Sequence, residues 1–163
     1  MKIYRFVGEY DYLSNFYPCT IIFEGIRYST VEHAYVASKT LDKQFRKKIA
    51  HLTPKDAGLV KKLGRKCKLR PGWKEIKLRL MKDFLIQKYT QDEFKKKLLE
   101  TGDQELIEGN YWHDNYWGDC LCEKCESIEG LNHLGKLIMD IRDKITKKKD
   151  HETICYSEHV CYL

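Results

Sequence analysis

Ser29-Thr30-Val31-Glu32-His33-Ala34-Tyr35-Val36-Ala37-Ser38-Lys39 reads as the opening of a helix. Ser29 or Thr30 suits its N-terminus, because a hydroxyl there accepts from the free N–H groups of the first turn. Glu32 and Lys39 stand seven residues apart, about two turns, and so project from one side. That spacing is too long for an ordinary surface ion pair, which needs three or four residues. Each residue also has a plain structural reading. Ser29-x-x-Glu32 matches a capping box, and a lysine at a helix end complements the dipole.

Outward from this helix the chain alternates short β-prone runs with longer helical ones. Thr20–Phe23 and Ile26–Tyr28 flank Glu24-Gly25, the signature of a β-hairpin. Residues 3–7 form an apolar, β-prone run, and Gly8 to Pro18 is a loop that includes Leu13-Ser14-Asn15-Phe16-Tyr17. Helices are predicted over 42–50, from Thr53-Pro54 onward, over 73–89 and from Thr90 to about Glu100. In the third of these, Ile76, Leu80 and Phe84 line one apolar face. Leu106-Ile107 is a short strand candidate. Gly109 to Gly130 is a long irregular segment, and 131–145 is a last helix. The pattern predicts an α+β, mostly helical single domain over 1–145, with a small N-terminal antiparallel hairpin or sheet. Residues 146–163, opened by Lys147-Lys148-Lys149, read as an appended basic and polar tail.

The chain has 163 residues, enough for a sizeable core, and 42% of them are hydrophobic. No apolar run is long enough to span a membrane, and Met1-Lys2-Ile3-Tyr4-Arg5 has no apolar signal region, so a cytoplasmic location is expected. The seven cysteines are odd in number and irregularly spaced, which suits free thiols in a reducing compartment. The net charge of +6 favours an anionic partner, either a phosphorylated small molecule or a nucleic acid.

Three constellations carry candidate chemistry. The loop Glu108-Gly-Asn-Tyr-Trp-His-Asp-Asn-Tyr-Trp-Gly-Asp119 gathers aromatics and carboxylates suited to a base and a sugar, and Gly118 admits a close backbone approach. A self-pinned loop is the structural alternative. Cys120-x-Cys122-x-x-Cys125 has the donors for zinc, with His113 or His133 as the fourth ligand. Free thiols and no metal cofactor are the leading reading there, since no second Cys pair exists. Lys61, Lys62, Arg65, Lys66, Lys68 and Arg70 form a basic run that suits phosphates, including those of DNA or RNA, or simply a solvated face.

Taken in order, these segments resemble the YbiA-like, or NADAR, family of N-glycosidases. The resemblance rests on Leu13-Ser14-Asn15-Phe16, Thr30-Val-Glu-His-Ala-Tyr35 with Lys39, Trp73 with Glu75-Ile-Lys77, Trp117-Gly118-Asp119, and Asn132-His-Leu-Gly-Lys-Leu-Ile-Met139 with Arg142. It covers about residues 4 to 145. It implies cleavage of the N-glycosidic bond between a base and a phosphorylated ribose. The implied substrates are ADP-ribose on guanine, which we favour, or ribosylaminopyrimidine phosphates of riboflavin biosynthesis. A non-catalytic nucleotide- or nucleic-acid-binding module is the contrasting class.

The resemblance also implies roles. Lys39 would form a Schiff base with the opened ribose, and Glu32 would handle protons. Asp114 or Asp119 would be the essential acid of the loop. Ser14, Asn15, Phe16, His33, Trp73, Trp117, Gly118 and Asn132 would bind substrate, in a cleft lined by the Asn15 loop, the Glu32 helix, Trp73 and the loop before Cys120. Where many relatives have a glycine-rich stretch after Trp-Gly-Asp, this chain has Cys120-Leu-Cys-Glu-Lys-Cys125, so the local loop shape differs.

Overall fold

The computed structural model describes the backbone of residues 1–158 and the side chains of residues 1–148. The end of the tail, with Cys161, and the side chain of Cys155 lie outside the described residues. The chain forms two compact units, one of Phe6–Lys95 and the other of Met1–Arg5 with the chain from Lys96 onward. Its architecture is α+β and mostly helical, as the pattern predicts.

In the first unit, β2 (Ile21–Phe23) and β3 (Ile26–Tyr28) pair antiparallel, with Ile21 opposite Tyr28. Glu24 and Gly25 both adopt positive φ, 47° and 76°, which gives the tight turn whose twist matches the strands. The helix α1 (Val31–Ser38) follows. Its cap is Thr30, whose hydroxyl accepts from the His33 N–H at 3.1 Å. The predicted Ser29–Glu32 capping box is therefore absent, and Glu32 instead donates its own N–H to the Asn15 carbonyl at 3.0 Å. Every residue of α1 is buried, so the helix has no solvated face.

Helices α2 (Lys43–Ala50), α3 (Ala57–Lys66) and α4 (Trp73–Tyr89) enclose α1. Asp42 caps α2 by accepting from Gln44 and Phe45. A 3-10 turn at Pro54–Asp56, closed by a Thr53–Asp56 capping box, leads into α3. That helix continues to Lys66 and takes in Lys61, Lys62, Arg65 and Lys66 of the basic run. Gly64 of α3 lies against Val36, so close that an added Cβ would fall 2.7 Å from Val36 Cγ2. The buried face of α4 is Trp73, Leu80, Met81, Phe84, Leu85, Lys88 and Tyr89, and Ile76 is only partly covered.

In the second unit, β1 (Lys2–Tyr4) pairs with β4 (Glu105–Ile107) in parallel, not with the hairpin. The predicted strand over 3–7 stops at Tyr4 because Arg5 turns to φ 77°. Within the segment predicted to be irregular, β5 (Gly109–Asn110) and β6 (Asp119–Cys120) form a second parallel pair. Asn132 adopts φ 48° and delays the last helix, α6, to His133–Glu158. Its first turn is satisfied by loop carbonyls: His133 N–H donates to Tyr116 O at 3.3 Å and Leu134 N–H to Trp117 O at 2.9 Å. Helix α5 (Asp92–Glu100) precedes β4. No helix among the described residues is long and apolar enough to cross a membrane.

Candidate active site

Lys39 is the residue at which α1 ends, and the fold fixes it from several sides. Its carbonyl accepts from Arg70 N–H at 2.7 Å. The buried Arg46 donates to the flanking carbonyls of Ala37, at 3.2 Å, and Thr40, at 2.8 Å, and meets Glu24 Oε2 at 2.5 Å. The Lys39 Nζ donates to Gly64 O at 3.4 Å and lies 5.1 Å from the centre of the Tyr35 ring. On its other side the Tyr35 ring meets Trp73, at 5.3 Å between centroids. A cavity of about 500 Å³ opens at this end of α1, walled by Thr40, Leu41, Phe45, Cys67, Leu69 and Pro71.

Burial holds the Lys39 ammonium below the usual lysine pKa of 10.5. The charges of Glu32 and Cys67 oppose that shift, whereas Lys61 and Arg65 add to it. Glu32 is itself only 7% exposed. The structure thus brings a half-buried lysine, a buried carboxylate and two aromatic rings into one neighbourhood. Asn15 and Phe16 belong to it. Asn15 is buried and holds the Glu32 backbone, and Phe16 is partly exposed with Lys61 Nζ 5.9 Å from its ring centre.

The other residues singled out from sequence have more structural placements. The Ser14 hydroxyl accepts from Phe16 N–H at 3.1 Å and shapes the loop. His33 is fully buried, with Nδ1 2.7 Å from the Thr30 hydroxyl, and it faces the interior of its unit. Burial lowers its pKa below the ordinary histidine value.

In the second unit, Asp119 spends both carboxylate oxygens internally, accepting from Tyr4 OH at 2.5 Å and Gly130 N–H at 3.0 Å. Burial and this hydrogen bond push the Tyr4 phenol up to about 12. Asp114 Oδ1 accepts from Trp117 N–H at 2.9 Å and closes the turn that presents the tryptophan. Trp117 stacks edge-on to Tyr116 at 5.0 Å. A Cβ on Gly118 would fall 1.9 Å from Glu108 Oε2, so only glycine fits there. The Asn132 amide is consumed by the backbone, with Oδ1 accepting from Glu108 N–H at 3.1 Å and Nδ2 donating to Leu106 O at 2.9 Å.

Three residues escaped the sequence reading. The Tyr35 ring joins Trp73 to Lys39. Arg46 stands beside Lys47 and Lys48 in α2 yet is only 4% exposed. Lys88 is fully buried, donates to Ser14 O at 2.8 Å and sits among the rings of Tyr17, Tyr89 and Phe94. A signal for Lys88 existed: it occupies the next position of the apolar face that runs through Leu80, Met81, Phe84 and Leu85.

Comparison with known proteins places the chain in a family. The NADAR domain profile matches residues 4–146. A Nostoc punctiforme protein named an N-glycosidase is 33% identical over 87% of this chain and 90% of its own length. Escherichia coli YbiA, also named an N-glycosidase, is 30% identical over 91% of this chain and 90% of its own length. The NMR structure of Escherichia coli YbiA superposes with a TM-score of 0.75, covering 91% of this chain and 86% of that one. A Vibrio vulnificus riboflavin biosynthesis protein is 30% identical, and the match spans 38% of its length. Two of these relatives carry the name N-glycosidase, and the chain shares the fold of Escherichia coli YbiA. The chain belongs to the NADAR domain family.

Proposed function

We propose that this chain removes ADP-ribose from guanine by cleaving the N-glycosidic bond between base and ribose. The observation that supports this most is Lys39, a lysine depressed in pKa by burial and set beside a buried glutamate. A surface cation or a passive binding face needs neither the burial nor the carboxylate. A nucleophilic lysine needs both a neutral fraction at working pH and a proton donor for the leaving group.

In this reading the Lys39 Nζ lone pair forms a bond to the anomeric carbon. The electron pair of the C–N bond leaves with the base, and Glu32 donates a proton to the departing nitrogen. The Lys39 nitrogen then gives one proton to the ring oxygen as the bond between that oxygen and the anomeric carbon breaks, which opens the ribose and leaves a protonated imine on Lys39. Water adds to the imine carbon, Glu32 now accepts the proton, and the freed amine returns to its starting state. Positive charge develops at the anomeric carbon as the bond breaks, and the carboxylate that Glu32 becomes as it gives up its proton stabilises it. Tyr35 and Trp73 offer flat apolar surface for the base, and Lys61 and Arg65 supply cations for a diphosphate.

The name of the Vibrio vulnificus relative favours a second substrate, a ribosylaminopyrimidine phosphate. The deciding experiment offers guanine-ADP-ribosylated DNA and that pyrimidine in parallel, with Lys39→Ala as control and borohydride to reduce any imine. We expect release of ADP-ribose from the DNA. We also expect a ribosyl adduct on a peptide containing Lys39, and loss of both in a folded Lys39→Ala protein. Full activity of Lys39→Ala removes the covalent mechanism, and cleavage of the pyrimidine alone moves the protein to the second substrate.

A further inference from the structure

We infer that His113, Cys120, Cys122 and Cys125 form a structural zinc site within the second unit. From sequence, the three thiols had no certain fourth donor, and free thiols were the simpler reading. The fold supplies that donor. The ligand atoms of these four residues all lie within 4.8 Å of one another. His113 Nδ1 is 3.3 Å from Cys125 Sγ and 3.3 Å from Cys122 Sγ. Zinc at about 2.0 Å from nitrogen and about 2.3 Å from sulfur, in a tetrahedron, requires N···S edges of about 3.6 Å. Those two N···S edges are already within a few tenths of an ångström of that length. His133, the other sequence candidate, is engaged elsewhere, with its ring 4.6 Å from that of Tyr116.

The backbone is built toward the cluster. His113 adopts φ 63°, a left-handed conformation rare for a non-glycine residue, and this conformation accompanies the turn of its ring toward the thiols. Its N–H also donates to Cys120 Sγ at 3.3 Å, a bond of the kind that stabilises a thiolate. Asn115 accepts from Cys120 N–H at 2.8 Å and its carbonyl receives Leu131 N–H at 2.8 Å, so it ties the cluster to the approach of α6. A 3-10 turn at Glu123–Cys125 brings the last thiol round, and Cys125 N–H donates to Cys122 O at 2.9 Å.

All four positions of the tetrahedron come from the protein. Such a closed set leaves no place for a reactive water and marks a structural rather than a catalytic metal. The segment from His113 to Cys125 encloses Asp114, Trp117, Gly118 and Asp119. Zinc would thus cross-link the loop around those residues, in place of the glycine-rich turn of many relatives.

The test is metal analysis of the full chain purified without chelator, together with replacement of the bound metal by Co(II). We expect about one zinc per chain, visible ligand-field and thiolate-to-cobalt bands of a tetrahedral site, and a lower melting temperature after chelation. Cys122→Ser should lose the metal and Cys67→Ser should keep it. The cobalt spectrum of the unmodified chain decides the matter even if Cys122→Ser fails to fold. Absence of stoichiometric zinc with no thiolate–cobalt bands overturns the assignment, as does full zinc content in a Cys122→Ser/Cys125→Ser variant.

Discussion

Gly64→Ala should destabilise the protein, although the same change in most exposed helices stabilises. Gly64 lies in α3 opposite Val36 of the buried α1. An added Cβ would sit 2.7 and 2.9 Å from the two Val36 Cγ atoms and 3.3 Å from its Cβ. Relaxed carbon–carbon contacts are about 3.5–4.0 Å, so α1 and α3 must separate by several tenths of an ångström or more. Val36 has no rotamer escape, because both methyls clash and a β-branched χ1 is stiff in a helix. Overpacking of this kind costs about 1–3 kcal/mol. The double hit argues for the upper end, and helix propensity returns about 1 kcal/mol. The net loss is about 2 kcal/mol, or roughly 6 °C in melting temperature for a chain of this size.

Gly58, in the first turn of the same helix, is the control. Nothing lies within 4 Å of its Cβ position, so Gly58→Ala should be neutral or stabilising by up to about 1 kcal/mol. Urea unfolding followed by circular dichroism reads both. Because the Gly64 carbonyl is the partner of Lys39 Nζ, Gly64→Ala should also lower turnover by more than its unfolded fraction explains. An unfolding midpoint for Gly64→Ala at or above that of the unmodified protein would refute the packing argument.

The pH–rate profile should have its acid limb at Lys39, with a midpoint below 10.5, because the neutral amine is the active form. Lys61→Gln/Arg65→Gln removes two cations that depress this pKa, so the limb should move to higher pH; no shift, or one in the opposite sense, contradicts the assignment. Lys88 titrates near 8 in the folded state, lowered from 10.5 chiefly by burial. Between these values the unfolded chain binds the extra proton, so this group makes stability rise with pH. Relative to Lys88→Met, the unmodified protein should gain about 1.4 kcal/mol per pH unit between pH 8 and 10, read from urea midpoints. Asn132→Ala removes two hydrogen bonds to backbone and a residue suited to positive φ, and should cost about 2–3 kcal/mol in the same assay. A loss under about 0.5 kcal/mol would mean that α6 does not depend on that amide.

What the sequence made legible was mostly local. The Glu24-Gly25 turn, the helix that opens at about Asp42 and the Trp73–Tyr89 helix follow from residue type and spacing, and the structure places them there. The pairing of β1 with β4 did not follow, because two three-residue strands about a hundred positions apart carry no signal of their partner. The cap of α1 stays open between two adjacent residues in the sequence. Ser29 and Thr30 are both good caps, and only the Asn15 carbonyl, which takes the Glu32 N–H, fixes which one serves. Lys39 and Glu32 were visible as a spacing, but the burial that makes them chemically unusual comes from α2, α3 and α4 closing around α1. The fourth donor for the three thiols was one of two histidines in sequence, and the left-handed turn at His113 singles it out.

The parallel pairing of Lys2–Tyr4 with Glu105–Ile107 has a consequence for how the molecule is made. Lys2–Tyr4, made about a hundred residues before Glu105–Ile107, belongs to the unit that is completed later. Phe6–Lys95 can fold as soon as it has emerged, while Met1–Arg5 waits for a partner strand synthesised some hundred residues later. Closing so long a loop is entropically slow and raises the contact order of that unit. Until then the edge of Lys2–Tyr4 stays unpaired on the nascent chain. Expression at lower temperature, or a solubilising partner fused at the N-terminus, acts on that interval and not on the stability of the finished protein.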